Sequence, residues 1–307
     1  MQEKLNKLIL LFKPLSDKYE KVATSRYGKL IRMSSYHVYP LLFLPTWCAM
    51  WMADLGNSIM QKLLLSLLFA IGAFLTRSAG CIINDIADIK FDGKVDRTKN
   101  RPLITGEVKV SEAIILACVM LLLGVILLLL LPNRVLYIAI IALFMIILYP
   151  LSKRFTNVPQ LILGFTFNLG VIMAWLTVST SGIIQLTVLY IGFALLTFAY
   201  DTVYACQDIE YDREAGIKSF PLFIQSRGID IQEIVWRIYK ASFTLIGIAG
   251  LGMNMGNSFY IALVTIIYIT SNSLDSCDVY IPSSCNDHFK KISLILVILF
   301  LGILFGK

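Results

Sequence analysis

The segment ILACVMLLLGVILLLLL, residues 115–131, contains no charged side chain and is long enough to cross most of a bilayer's hydrocarbon core as a helix. A second run, LILVILFLGILF at residues 294–305, also contains no charged side chain. Of the 307 residues, 57% are hydrophobic and only 15% are charged, and the mean hydropathy is +0.75. A soluble core does not hide that much apolar surface. The sequence therefore predicts an all-α, polytopic membrane protein.

Apolar windows of about 17–23 residues predict nine transmembrane helices. They lie near residues 37–53, 63–86, 112–131, 134–150, 160–179, 183–206, 237–252, 257–274 and 291–306. We expect residues 37–307 to form a single transmembrane domain. Residues 1–36 are expected to form a cytoplasmic amphipathic segment on the membrane surface, with lysines between its apolar side chains. Those apolar side chains are Leu8, Ile9, Leu11, Phe12 and Leu15.

The positive charge is distributed unevenly along the chain. The net charge is +7, and 23 of the 27 Lys and Arg residues fall in the N-terminal segment and the loops that share its side of the membrane. Three lie on the opposite side, and Arg77 lies within a predicted span. Because cytoplasmic loops carry the excess of Lys and Arg, we expect a cytoplasmic N-terminus and a C-terminus outside. The charge therefore reflects membrane topology, and no nucleic acid partner is indicated.

The remaining composition excludes several other classes of protein. The six cysteines show no CxxC spacing and no Cys/His cluster, so neither a disulfide framework nor a zinc site is expected. The first 36 residues contain acidic side chains and no cleavage site after an apolar core, which argues against a signal or transit peptide. We therefore favour a bacterial cytoplasmic (inner) membrane over a mitochondrial inner membrane. No obligate protein partner is indicated, and His37 and His288 are expected to have packing or interfacial roles.

Ten of the 20 carboxylates fall in residues 85–107 and 201–214, each at the predicted cytoplasmic end of a span. In the first stretch, Asn84, Asp88 and Asp92 follow a spacing of i, i+4 and i+8, which places them along one face of a helix. Asp85 is the i−3 neighbour of Asp88. Acidic side chains near a membrane are costly unless they serve a site.

The second stretch repeats this arrangement. Asp201, Asp208 and Asp212 follow a spacing of i, i+7 and i+11, which again gives one helical stripe. Carboxylates this close repel one another unless cations lie between them. Two facing clusters of oxygen ligands suit Mg²⁺, which takes one or two carboxylates and completes its octahedron with water and substrate phosphate.

Basic side chains accompany both clusters, and such side chains bind oxyanions. They are Arg77, Lys94, Arg97, Lys99, Arg101, Lys153, Arg154, Arg213 and Lys218. Metal-binding carboxylates rimmed by Arg and Lys are typical of a diphosphate site. In a membrane protein, the organic part of that diphosphate is expected to be a lipid.

The two stretches resemble the motifs of the UbiA family of intramembrane aromatic prenyltransferases, NDxxDxxxD and a DxxxD-type cluster. The surrounding words RSAGCxIND, VxRTKxRPL, YPLxKR, PQLxLG, DTxYAxQD and GIKS are most similar to those of the 4-hydroxybenzoate polyprenyltransferase branch. Here they occupy residues 77–85, 95–103, 149–154, 159–164, 201–208 and 216–219. The resemblance extends from about Arg32 to Phe289.

The resemblance implies a bundle of nine helices around a central cavity. It also implies an enzyme of ubiquinone biosynthesis, which transfers a polyprenyl group from its diphosphate to 4-hydroxybenzoate. By matching position, one Mg²⁺ ion would be bound by Asn84, Asp88 and Asp92. The other would be bound by Asp208 and Asp212. The diphosphate would be bound by Arg77, Arg97, Arg101, Lys153 and Lys218, and the aromatic substrate by Arg32. The predicted catalytic residues are Asp85, Asp88, Asp201 and Asp208, with Asp85 or Asp201 helping to remove the ring or phenol proton.

The chain departs from the family pattern at three places. After Arg32 it has Ser35-Tyr36-His37-Val38 in place of a Lys-Pro-Ile-Gly-like word, which bears on the aromatic-acid pocket. Tyr211 stands where an acidic residue commonly precedes Asp212, which reduces the second acidic cluster. Phe220-Pro221 follows Ser219 where a small residue is usual.

Three alternatives remain open. The same site could use another acceptor, such as a naphthoate, homogentisate, haem or chlorophyllide. A cation transporter would place its acids at mid-membrane within inverted repeats, whereas these acids lie at one side. A CDP-alcohol phosphotransferase needs a single, denser Asp/Gly motif, which this sequence lacks.

Overall fold

Helices form the regular structure of this protein in a computed structural model that describes residues 16–53, 56–93 and 98–307. The α-helices are α1 (described at 16–24), α2 (Arg26–Leu30), α3 (Tyr39–Ala53), α4 (Ile59–Ala87), α5 (Ile89–Asp92), α6 (Val110–Leu128), α7 (Arg134–Phe155), α8 (Pro159–Phe167), α9 (Leu169–Val178), α10 (Ile183–Ala205), α11 (Ile209–Ala215), α12 (Phe220–Gln225), α13 (Ile231–Gly252), α14 (Asn257–Asp275) and α15 (Pro282–Phe305). Two 3₁₀ turns cover Tyr36–Val38 and Cys206–Asp208. No strand occurs within these ranges, so the all-α prediction is confirmed.

Seven helical segments in the described ranges are long and apolar enough to cross a membrane. They are α4, α6, α7, α8 with α9, α10 with the turn and helix that follow it, α13 and α15. The other two predicted spans coincide with α3 and α14, which do not meet the same test of length and hydropathy. Every predicted span therefore overlaps a helix, but the count of nine is not confirmed.

Two helices begin much earlier than the apolar windows that start at 237 and 291 predict. α13 starts at Ile231, because the Asp230 side chain caps it by accepting a 2.9 Å hydrogen bond from the Gln232 amide. α15 starts at Pro282, where proline suits the first turn because it needs no amide donor. The first turns of both helices carry polar side chains, so a search for apolar windows misses them.

The described residues divide into two compact units. The first contains residues 16–36, 75–93 and 98–123, and the second contains residues 37–53, 56–74 and 124–307. The apolar residues predicted for the amphipathic segment, Leu8 to Leu15, lie outside the described residues. The domain division at residue 36 stays a prediction.

In the second unit, α10 packs against α8, α13 and α15, and α3 packs against α9 and α15. Its largest fully buried side chains are Trp175, Tyr239, Phe193 and Phe259. His288 is also buried there, with its Nε2 atom 2.9 Å from the Tyr239 hydroxyl and its Nδ1 atom 3.0 Å from the Ser273 hydroxyl. His288 therefore has the packing role that the sequence predicts. All six cysteines of the chain are free.

The first unit holds the end of α4, α5, the loop at residues 98–109 and the start of α6, together with α1 and α2. The Ser25 side chain caps α2 by accepting a 3.1 Å hydrogen bond from the Gly28 amide. The Tyr19 hydroxyl donates a 2.7 Å bond to the Met33 carbonyl, which fastens α1 to the turn that follows α2. The first acidic stretch lies in this unit and the second lies in the other.

Candidate active site

The first acidic stretch continues the helical path of α4 through Asp88 into α5. The Asp88 amide donates to the Asn84 carbonyl at 2.9 Å, and the Asp92 amide donates to the Asp88 carbonyl at 2.9 Å. The side-chain amide of Asn84 also donates to Oδ2 of Asp88 at 3.3 Å. These i to i+4 bonds stack the three side chains along one face, as the spacing predicts.

Asp85 is buried within the same unit and pairs with two arginines. It is 2% exposed, and its Oδ1 atom lies 2.6 Å from Nη2 of Arg32 and 3.0 Å from Nη1 of Arg101. Arg101 Nη1 also pairs with Oδ2 of Asp92. Arg101 therefore bridges two of the predicted acidic site residues, and Arg32 lies at the same carboxylate. Sequence reasoning assigned these two arginines to different substrates and predicted neither contact.

The pKa of the Asp92 carboxyl is raised, chiefly because burial disfavours its charged form. The Arg101 guanidinium opposes this by lowering the pKa, whereas the Asp85 and Asp88 charges raise it further. Asp92 therefore lies among both acidic and basic neighbours, and burial is the main reason that its carboxyl resists ionisation. The role of Asp92 as a metal ligand stays a prediction.

Arg77 is buried on α4, two turns before Asn84, with 8% of its surface exposed. A buried guanidinium on the helix that carries the acidic stack is suitably placed to bind an oxyanion. Arg97, its predicted companion, lies outside the described residues. The assignments of both residues to the diphosphate stay predictions.

The second acidic stretch does not form one uninterrupted α-helix. α10 ends at Ala205, a 3₁₀ turn carries Cys206–Asp208, and α11 follows to Ala215. Because a 3₁₀ turn advances each residue further around the axis than an α-helix does, Asp201 and Asp208 depart from the straight stripe that the spacing predicts. Asp208 and Asp212 remain four residues apart, with both side chains partly exposed. Gly216 ends α11 with φ of +67°, a conformation that glycine adopts without steric cost.

Two predicted cations of the second unit lie beside this stretch. The Lys218 amide donates a 3.1 Å hydrogen bond to the Lys153 carbonyl, which joins the end of α7 to the segment that follows α11. Lys153 interacts electrostatically with Asp201. The structure thus brings Lys153, Lys218 and Asp201 to one region of this unit, as expected for a site that binds anions.

Gln160 is a residue of this region that sequence reasoning did not select. Its side chain is 6% exposed, and its Oε1 atom accepts a 3.0 Å hydrogen bond from the Phe220 amide at the start of α12. Gln160 therefore fixes the segment that carries Lys218. The sequence did offer a way to find Gln160, because it is an amide side chain inside an otherwise apolar helix. Polar groups in membrane helices tend to serve a specific contact.

Comparison with known proteins identifies the family and the fold. The UbiA prenyltransferase family matches residues 42–300. The chain belongs to this family. A relative from Neisseria gonorrhoeae, named 4-hydroxybenzoate octaprenyltransferase, is 42% identical over 209 residues, which are 68% of this chain and 68% of the relative. The UbiA resemblance inferred from the two acidic motifs is therefore confirmed.

Solved structures of UbiA homologs share the fold. The apo structure of a homolog from Aeropyrum pernix K1 has a TM-score of 0.74 at 20% identity, covering 88% of this chain and 98% of that chain. A homolog from Archaeoglobus fulgidus bound to GPP and Mg²⁺ has a TM-score of 0.60 at 19% identity, covering 91% of this chain and 99% of that chain. This chain is thus an all-α membrane protein with the UbiA fold.

The donor atoms of this UbiA chain suit a hard divalent cation. Asn84, Asp88 and Asp92 offer amide and carboxylate oxygens along one face, and Asp208 and Asp212 offer carboxylates in the other unit. Within the described ranges, no group of three or more His, Cys, Asp or Glu side chains converges on one point. Magnesium accepts such sparse sets, because water and substrate phosphate complete its coordination.

Proposed function

We propose that this chain transfers a polyprenyl group from polyprenyl diphosphate to the ring carbon of 4-hydroxybenzoate ortho to its hydroxyl, and releases diphosphate. The observation that carries the proposal is 42% identity, over two thirds of the chain, to a relative named 4-hydroxybenzoate octaprenyltransferase. The acidic stack, the second Asp pair and the neighbouring cations are the chemistry that a diphosphate leaving group requires.

Magnesium is the proposed cofactor, held by Asn84, Asp88 and Asp92 and by Asp208 and Asp212. When bound, it supplies Lewis-acid stabilisation of the negative charge that develops on the diphosphate. The Mg²⁺ bound to the Archaeoglobus fulgidus homolog supports the choice of metal for a chain with this fold.

The basic side chains bind the diphosphate as the allylic C–O bond breaks. In that step the bonding electron pair leaves with the diphosphate, and the prenyl group becomes an allylic cation. Arg77 is buried on α4, and a backbone hydrogen bond between Lys218 and Lys153 holds together the two segments that carry these lysines. Preorganised cations stabilise developing charge without reorganising during the reaction.

The ring carbon of 4-hydroxybenzoate then attacks the cation, a C–C bond forms, and the ring proton must leave. We assign this proton to Asp201, whose carboxyl group interacts with Lys153 near the end of α10. Asp85 is a weaker candidate, because its carboxylate is buried against two guanidinium groups. Apolar helix surfaces exclude water, which would otherwise capture the cation.

We further propose that the enzyme resides in a bacterial cytoplasmic membrane, with the N-terminus and both acidic stretches facing the cytoplasm. The bias of Lys and Arg toward one set of loops supports this orientation. Reactivity of single engineered cysteines with a membrane-impermeant reagent, in intact cells and in inverted vesicles, tests it.

The activity is tested with membranes from cells that express the chain. They are supplied with labelled 4-hydroxybenzoate, Mg²⁺ and prenyl diphosphates of increasing length, and mass spectrometry identifies the products. Membranes from cells without the chain are the control. Prenylated 4-hydroxybenzoate is the expected product. Its absence, under conditions in which an authentic enzyme works, would contradict the proposal, and transfer to a naphthoate or homogentisate in a parallel panel would reassign the acceptor.

A further inference from the structure

Arg32 has an unusual backbone conformation for a residue with a long side chain. Its φ is +55°, in the left-handed region that non-glycine residues seldom adopt. Contacts on both sides fix this turn, because the Met33 amide donates to the Gly28 carbonyl at 2.9 Å and the Met33 carbonyl accepts from Tyr19. Residues held in sparsely populated conformations often serve a site. Here the turn directs the Arg32 side chain to Asp85.

The loop at residues 98–109 is fixed at both of its ends. Near its start, the Thr98 hydroxyl donates a 2.7 Å bond to the Asp92 carbonyl, and the Arg101 amide donates to the Thr98 carbonyl at 2.9 Å. Near its end, Glu107 pairs with Lys29 of α2 at 3.4 Å. Arg101 is therefore presented to Asp85 and Asp92 from a loop whose course is well defined.

We propose that Asp85 is a positioning residue, which holds Arg101 and thereby keeps one oxygen of Asp92 available to a cation. The inference deepens the proposed function and rests on its assignment of Asp92 as a metal ligand. Arg101 contacts Oδ2 of Asp92, and no donor in the described part of the chain contacts Oδ1. By binding Arg101 as well, Asp85 limits how fully that guanidinium can engage Asp92.

The electrostatics of the cluster support this role. Asp85 and Asp92 carry two negative charges, and Arg32 and Arg101 carry two positive charges. Asp92 already lies nearer to Arg101 than Asp85 does. Without the charge of Asp85, the Arg101 guanidinium would be free to turn fully to Asp92, and a guanidinium can engage both carboxylate oxygens at once. A bidentate pair of this kind would compete directly with a metal ion.

The same geometry separates this role from proton transfer. A general base must reach the proton that it removes, at about hydrogen-bonding distance. The Asp85 carboxylate is 2% exposed, and its Oδ1 atom already contacts two arginines, so it is poorly placed to reach such a proton.

Groups that orient a metal ligand typically change metal affinity by about 10- to 100-fold when they are removed.

The test measures Mn²⁺ binding to the purified full-length protein by electron paramagnetic resonance, which needs no turnover. Asp85→Asn is expected to weaken Mn²⁺ binding by about 10- to 100-fold. Asp85→Glu should restore part of the loss, because it keeps the charge. Glu233→Gln, which removes an exposed ion pair with Arg237 in the other unit, is the matched control and should bind as wild type does.

Arg32→Ala is a second variant with a different expected result. In this variant Asp85 pairs with Arg101 alone, which draws Arg101 away from Asp92. Mn²⁺ should therefore bind at least as tightly as it binds to wild type. This variant keeps the inference testable if Asp85→Asn fails to fold, as judged by thermal unfolding. Weaker Mn²⁺ binding by a folded Arg32→Ala protein would overturn the inference.

Kinetics distinguish the inference from the proposed function. In Asp85→Asn the Mg²⁺ concentration for half-maximal rate should rise, whereas kcat at saturating Mg²⁺ should stay within about threefold of wild type. Wild-type Mn²⁺ affinity with loss of kcat would overturn the inference in favour of a catalytic Asp85. If wild-type protein lacks prenyl transfer but the Mn²⁺ results hold, the inference stands and the proposed reaction fails. If wild-type protein binds no Mn²⁺, the inference fails, whereas prenyl transfer by the same protein would leave the proposed reaction standing.

Discussion

The side-chain amide of Asn168 donates a 2.8 Å hydrogen bond to the Thr197 hydroxyl, which connects the junction of α8 and α9 to α10. The same amide nitrogen lies 2.8 Å from the Gly164 carbonyl and 3.2 Å from the Phe193 carbonyl. Asn168 is 1% exposed. It therefore satisfies carbonyl groups at a point where the helix is interrupted, in surroundings that offer little water.

Replacing Asn168 with leucine should destabilise the protein without touching the acidic stretches. Thr197 and two carbonyl groups would lose a buried donor, at a cost of about 1–3 kcal/mol. Thermal unfolding in detergent measures the effect. Thr187→Val is the control, since Thr187 is exposed on α10 and its hydroxyl bonds only within its own helix, so its unfolding temperature should stay near that of wild type.

The contact between His288 and Tyr239 should show energetic coupling. The two side chains, one on α13 and one on α15, meet at 2.9 Å in the buried core, so removing either one leaves the other without that partner. A double-mutant cycle with Tyr239→Phe and His288→Ala should give a coupling of about 0.5–3 kcal/mol in the free energy of unfolding. Additive effects of the two substitutions would contradict this expectation.

Gly302 permits the close approach of α15 to α14. A Cβ atom at this position would overlap the Ala262 side chain and lie 3.1 Å from the Ser258 carbonyl. Gly302→Ala should therefore destabilise the protein by about 1–3 kcal/mol, because overpacking forces the helices apart. Gly124→Ala is the matched control, since a Cβ there meets nothing within 4 Å, and it should be neutral or slightly stabilising.

Asp88→Asn and Asp208→Asn should each lower prenyl transfer by about a hundredfold or more, because each removes a charge that the proposed metal sites need. Both side chains are partly exposed, so the amount of protein in the membrane and its thermal unfolding should change little. Assays of expressed membranes, normalised to protein amount by immunoblot, make the comparison. Wild-type turnover in either variant would overturn its assignment as a metal ligand.

Local spacing predicted the helical elements and the first acidic stack well. The stack of Asn84, Asp88 and Asp92 depends only on helical periodicity, and the structure reproduces it. Contacts between distant residues were not predictable, because they depend on the path of the chain. Arg32 and Asp85 are 53 positions apart, and nothing in either local pattern indicates that they pair.

Local interruptions of helices were also missed. The predicted span at 160–179 is two helices that meet at Asn168, and the acidic stripe from Asp201 to Asp212 crosses a 3₁₀ turn. Hydrophobic periodicity averages over many residues, whereas a single change in hydrogen bonding breaks a helix. The buried polar residues at such points, Asn168 among them, are the signal to examine in related sequences.

The junction at Asn168 has a consequence for biosynthesis. α8 and α9 contain 9 and 10 residues, so each reaches only about half of a bilayer core of about 30 Å. Neither half can insert alone, and the joined segment carries an amide whose partners Phe193 and Thr197 belong to α10. We therefore expect the membrane-insertion machinery to release α8, α9 and α10 into the lipid together, as one hairpin. Separate insertion of the α8–α9 segment before α10 would leave the Asn168 amide without these partners.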